Sequence, residues 1–348
     1  MQLHPQNELS MSDTTLTKAY QLASRLKELA PWSYMAETEI FGVRIPDSGK
    51  QYFVSIMGSG GQHYGMAAYE DTEGLLGFWE LQQPTSWMRP GDLLLVPHLL
   101  VSFEDRDMID EPVRKKMKEL GFKYRGSNAW PDFRHMIPAF VPGMPGEQAL
   151  NDLVTVMEQA LDVFERAKTD TEFIYTEDND GDIYLVRAFE RTDDEPGQWK
   201  DTYWRMVPPK PEFNMGYNAL ERGKIAGLPR GKDTLQADIA LTSKQVAKPG
   251  KKPYFASLYF VTSKQQGTVL DLMVLSPEDG IDTMHGRFPD LLIKTVLKLK
   301  WQPVAIEFRH PLFYAMAKKV LYPTKIKTVL KPFLPEMEKF LDSFEANV

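Results

Sequence analysis

The chain has 348 residues and a mass of 39.9 kDa, with 43% hydrophobic and 26% charged residues, 41 basic and 48 acidic side chains, and no cysteine. That length suggests about two domains and allows roughly three quarters of the unfolded surface to be buried. The composition excludes disulfides, thiolate metal sites, Fe–S clusters and thiol nucleophiles, and a net charge of −7 argues against a generic nucleic-acid binder.

No apolar run reaches the roughly 18 residues of a membrane span. The opening MQLHPQNELSMSD lacks a basic region followed by an apolar one, so no signal peptide is expected. Met11 is an alternative start, and the expected location is the cytoplasm. Leu16, Tyr20, Ala23 and Leu26 repeat at helical spacing and predict a helix over 14–30. QYFVSIMG (51–58) and QHYGMAAYE (62–70) read as strands joined at Gly58-Ser59-Gly60-Gly61. A short helix follows at 72–82, a buried strand at 98–103 and a charged helix at 110–120 that ends at Gly121. The clearest helix covers 145–168, where Leu150, Leu153, Val154, Met157, Leu161 and Phe164 form one stripe.

IYLVRAFE (183–190) and DTYWRMV (201–207) read as a hairpin, and 208–233 is rich in Gly and Pro, as a domain boundary would be. The C-terminal part then gives strands at 234–241, 253–262 and 268–276, a helix at 289–300 and a strand at 303–308. It closes with a helix at 311–321, a strand at 325–331 and a helix at 335–346. Residues 51–168 and 253–346 share the order strand, strand, helix, strand, helix, strand, helix, which admits a duplication resting on element order alone. The expected fold is α/β or α+β, with two lobes of mixed sheets flanked by helices. The expected division is 1–170, a connection at 171–233, and 234–348.

Charge is uneven along the chain. Residues 243–331 hold 15 Lys plus Arg against 6 Asp plus Glu, a local +9, which leaves −16 on the remainder. Such asymmetry points to an anionic partner, nucleic acid included, or to solvated and internally paired lysines. The two readings differ in whether Lys244, Lys248, Lys251, Lys252, Lys294 and Lys298 share one exposed face.

Several local patterns carry chemistry. The glycine loop has the backbone freedom to cradle an anion, but it joins two strands, unlike a P-loop, which runs into a helix. TEDNDGDI (176–183) resembles a calcium loop with Gly181 at position six, yet Thr176 and Arg187 stand where acidic ligands are required, and an Asp-Gly turn also explains it. Glu104, Asp105 and Asp107 follow a buried strand, where acids can act as general acid and base or hold a metal. Arg309 stands at a similar strand end in the second lobe, beside Glu307 and His310. Arg125, Trp130 and Arg134 belong to an aromatic and basic stretch suited to a ligand wall or to packing. None of the six histidines forms a metal-binding pair. No cofactor is expected.

FGVRIPDSGKQYFVSIMGSGGQHYGMAAYEDTEGLLGF (41–78), FEDRD (103–107) and GFKYRGSNAWPDFR (121–134) resemble a bacterial family of unknown function. That family carries Met-Gly-x-x-Gly, then Tyr-Gly-x-Ala-x-Tyr, and a Lys/Arg-Gly-x-Asn-Ala-Trp-Pro-x-Phe-Arg segment. The closing 302–344 is similar to its last unit. After Arg134 this chain departs: the family continues Tyr-x-Pro-Gly-Tyr-x-Pro-Trp, whereas Pro138-Ala139-Phe140-Val141-Pro142-Gly143 stands here. Some relatives are fused to SEC-C type zinc modules, which need cysteines this chain lacks. The resemblance implies no activity.

The expected function is a cytoplasmic binding or regulatory module with a site between lobes, lined by Gly60, Gly61, His63, Tyr64, Arg125, Trp130, Arg134 and Arg309. Its partner would be a small anionic ligand or a protein, away from membranes. The alternative is a hydrolase of nucleotides or nucleic acid using Glu104, Asp105 and Asp107, with the basic segment 243–331 holding phosphates.

Overall fold

The computed structural model describes residues 12–82, 89–175, 181–192, 195–207 and 215–347. Met11 and residues 176–180 of the calcium-like loop lie outside the described residues. The chain forms two units. Within the described residues, the first draws on 12–79, 96–137 and 142–207, and the second on 80–95, 138–141 and 215–347.

The first unit opens with helix α1 (Asp13–Leu29), whose Leu16, Tyr20, Ala23 and Leu26 are buried as their spacing predicts. Strands β1 (Phe41–Arg44), β2 (Gln51–Met57) and β3 (Gly65–Glu70) pair antiparallel in succession. Helix α2 (Asp71–Gln82) follows, then β4 (His98–Glu104), α3 (Glu111–Glu119), β5 (Trp130–Met136) and α4 (Glu147–Ala167). Strands β6 (Ile183–Thr192) and β7 (Glu195–Arg205) complete a seven-stranded sheet of order β5-β4-β3-β2-β1-β6-β7. Only β1 and β6 pair parallel in it. The hairpin therefore extends the first sheet.

Residues 130–136 supply the strand expected between the helices at 110–120 and 145–168, and they pair with β4 along its whole length. Pro131 donates no amide proton, and β5 tolerates it because the strand lies at the sheet edge. Helices α1 and α4 pack on one face of the sheet against Phe41, Val54, Ile56, Val101, Phe133 and Leu185. Each large apolar side chain so buried contributes about 1.5–3 kcal/mol, so the stripe of α4 dominates this core. Helix α2 lies on the other face, with Phe78 5.1 Å from Tyr69.

The second unit begins with α5 (Ala219–Ile225), capped by Asn218, whose side chain accepts from the Leu220 and Glu221 amides. Strands β8 (Thr234–Val246), β9 (Tyr254–Ser263) and β10 (Val269–Leu275) form an antiparallel meander. Helices α6 (Ile281–Gly286) and α7 (Phe288–Leu299) lead to β11 (Ala305–Phe308), α8 (Pro311–Leu321), β12 (Lys327–Leu330) and α9 (Pro335–Asn347). The sheet order is β10-β9-β8-β11-β12, with β11 parallel to both neighbours.

Strand β9 is buried at every position, in keeping with its near-continuous apolar sequence. One side of its sheet carries a core of Tyr259, Val261, Phe288, Leu292 and Phe308. A smaller cluster joins Leu258 and Phe260 to Leu334 and Met337. Both sheets mix parallel and antiparallel pairs and are flanked by helices, the expected α+β arrangement. Their pairings differ, since β4 enters antiparallel beside β3 while β11 enters parallel beside β8.

Candidate functional site

The register of the first sheet gathers several predicted residues at one end. Met57 pairs with Gly65, Gly65 with Ser102, and Ser102 with Asp132, so the loops at 58–64 and 105–129 leave the sheet on the same side. The glycine loop is a hairpin turn in which the Gly61 amide donates to the Gly58 carbonyl at 2.9 Å. Gly58 has φ +116° and Gly61 φ +78°, values that disfavour side chains. Gly60, Gly61 and His63 are exposed. Tyr64 is half-buried, with its ring 5.2 Å from Trp32 and 5.0 Å from Lys27 Nζ. The same ammonium lies 5.0 Å from Phe103, and burial holds its pKa below the usual lysine value. Tyr64 thus packs against a half-buried lysine.

The acids at this end do not converge. Glu104 pairs in register with Trp130, whose ring lies 5.9 Å from Tyr124. Asp105 accepts the Asn128 amide at 2.8 Å, and exposed Asp107 stands 3.8 Å from Arg106. Among the described residues no group of three His, Asp or Glu side chains is placed to hold a metal ion. Arg134 donates to Asp132 at 2.5 Å, while burial pushes the Asp132 carboxyl upward. Arg125 is exposed.

Arg309 belongs to the second unit, where it joins a largely buried ion network. Its guanidinium is 3.5 Å from Glu338 and 4.0 Å from Asp92. Arg89 donates to the same Glu338 oxygen at 2.7 Å, and its amide donates to Asp92 at 2.7 Å. Asp238 is wholly buried in β8, and burial raises its pKa to about 6 against the pull of Arg89 and Arg309. Arg309 is therefore an internal tie between strand end, helix α9 and the segment at 89–95.

The basic surplus of the C-terminal region is also engaged locally. Glu278 binds Lys248 at 2.6 Å and Lys251 at 2.5 Å, Asp290 binds Lys294 at 2.7 Å, and Asp271 binds Lys298 at 2.8 Å. Lys244 donates to the Glu345 carbonyl, and Lys252 is desolvated enough to lower its pKa. These lysines do not form one unpaired basic face.

A groove of about 550 Å³ opens in the first unit, away from the predicted loops. One wall is a polar stripe of α4, with Gln148, Asn151, Asp152, Thr155 and Glu158 at successive helical turns. The turn at 45–48 forms a second wall, and Phe189, Arg191 and Trp199 of the β6–β7 hairpin form the third. Asp152 is 3% exposed. Its Oδ2 accepts from the Tyr52 hydroxyl at 3.0 Å and its Oδ1 from Gln148 Nε2 at 2.9 Å. Burial, with Asp152 next in effect, pushes the Tyr52 phenol well above its usual value, so Tyr52 stays a donor.

Phe189 and Trp199 meet edge to face at 5.6 Å. Phe189 reaches this position because Gly197 faces it: a Cβ there would lie 2.4 Å from the ring. Gly197→Val is expected to swing Phe189 out of the wall and narrow the groove. The check is a crystal structure of the variant; an unmoved Phe189 ring would show that Gly197 does not shape the wall.

Sequence reasoning missed Asp152, Tyr52, Phe189 and Trp199. The available signal was the polar stripe of Gln148, Asn151, Asp152, Thr155 and Glu158 along α4, which reads in sequence as a solvated face.

Two helix-flanked mixed sheets, one of them with an acid-floored groove, define a two-unit α+β protein. Residues 17–187 match a domain of unknown function, DUF7309, and residues 221–345 match a second domain of unknown function, DUF6930. Neither a curated protein nor a solved structure matches the chain. No helix among the described residues is long and apolar enough to cross a membrane.

Proposed function

We propose that this protein is a binding module whose first unit takes a small ligand in the α4 groove. One observation carries the reading: a buried carboxylate, fixed by Tyr52 and Gln148, lines a concavity with two aromatic rings on the opposite wall. A few placed polar groups and aromatic walls in a volume of about 300–1,000 Å³ are the usual make-up of a small-molecule site. The loop-end residues support an anionic ligand less well, because Tyr64 and Arg134 already have internal partners. A catalytic role for Glu104, Asp105 and Asp107 has no supporting geometry.

The test is a ligand-observed NMR fragment screen on the full chain and on Thr155→Trp, which fills the groove from α4. Fragments that bind the parent and are lost in a folded Thr155→Trp variant are the expected result. Absence of hits, or hits that survive the substitution, would overturn the placement.

A further inference from the structure

We infer that the groove takes an organic cation, a protonated amine or guanidinium carried on an aromatic or apolar body. The inference rests on reading the groove as a ligand site. Its starting point is the state of Asp152. Both carboxylate oxygens accept hydrogen bonds, and both donors are neutral groups, a phenol and an amide. Among the described residues no ion pair is formed by Asp152, although the side chain is 3% exposed. A carboxylate withdrawn from water without a counter-charge is stabilised most by a cation brought to it.

The charged groups facing this carboxylate fit that sign. Asp47 and Glu158 line the same groove, and among the described residues Arg191 is the single basic lining residue, so the described lining carries a formal −2. Lys18 pairs with Glu158 at 2.7 Å, outside the lining. Lys50 feels the charge of Asp152, but its ammonium binds Glu70. An incoming anion would meet the carboxylates of Asp47 and Asp152 beside one guanidinium, with Glu158 already held by Lys18.

The opposite wall adds a second, independent feature. Phe189 and Trp199 stand edge to face, and the Arg191 guanidinium carbon lies 5.9 Å from the Phe189 centroid. That ring already takes a cation on its face. Aromatic faces attract ammonium and guanidinium groups through their quadrupole. An anion gains nothing from such a face, and a neutral ligand gains no charge term.

Three probes of one shape separate the possibilities: tyramine, 4-ethylphenol and 3-(4-hydroxyphenyl)propionate, titrated calorimetrically into the full chain at low salt. Tyramine is expected to bind most tightly, and Asp152→Asn to weaken it about tenfold or more while leaving 4-ethylphenol unchanged. Where Asp152→Asn does not fold, Asp47→Asn on the exposed turn carries the comparison, with an expected loss of about threefold. Equal or tighter binding of the neutral or anionic probe in the groove would overturn the cation and leave the groove a ligand site. Binding of none of the three would overturn both.

Discussion

Arg309→Met is expected to destabilise the second unit by about 3–5 kcal/mol, read as a lower midpoint of its urea transition. Arg309 is 6% exposed, and its guanidinium stands between Glu338 and Asp92, with Asp238 buried close by. Removing it leaves Arg89 as the cation facing those three carboxylates. The loss measures the uncompensated buried charge more than the worth of the pair. Nε of Arg309 and Nε and Nη1 of Arg89 have no protein partner, so the network is not fully satisfied by protein groups. Arg309→Lys keeps the charge without the planar fork and is expected to recover only part of the loss. A change under about 1 kcal/mol in Arg309→Met would mean that water already screens the cluster, as it does at a surface.

The sequence disclosed the elements that carry strong periodicity. Helix α4 reads directly from Leu150 to Phe164, and β9 from an apolar run that only a strand buried on both faces would hold. Strand β1 has four residues and α6 has six, too few for any period to register. Strand β5 was legible as a strand before α4 but not in its bounds, because Trp-Pro-Asp-Phe-Arg mixes a proline and two charges, a composition suited to an edge position. The site was less legible than the fold. Arg309 was visible at a strand end, but Arg89 and Glu338 are 249 residues apart and share no local pattern. Asp152 and Tyr52 are separated by 100 residues, and helical spacing places Asp152 on the polar side of α4 without revealing its partner. The loop residues Tyr64 and Arg134 had binding chemistry in their side chains, and the fold uses that chemistry internally.

The second unit is expected to lose stability as pH falls below about 6.5 because two histidines are held neutral within it. Burial lowers His285 to about 4 and His310 to about 3, the latter with further repulsion from His285 and Arg309. His310 has a geometric reason as well. Its Nδ1 accepts the Leu312 amide at 3.1 Å and caps α8, and a proton on that nitrogen removes the acceptor. Below the unfolded value of 6.5 the unfolded chain binds protons that the folded unit refuses, so each histidine costs stability as pH falls toward its folded value. Asp238 works the other way. Its folded value near 6 lies above the ordinary 3.8, so between those limits the folded unit holds the extra proton and gains on acidification. Taken by themselves, these two histidines and this aspartate give a net loss of about 1.4 kcal/mol per pH unit between pH 6 and pH 4. His310→Asn keeps an N-cap acceptor and cannot titrate, so thermal melts from pH 7 to 4.5 are expected to show a markedly flatter decline than the parent. Superimposable profiles would mean that His310 takes up its proton as readily in the folded unit as in the unfolded chain, the cap contributing little. Asp238→Asn is expected to steepen the decline, since it removes a group whose protonation favours the folded state over this range.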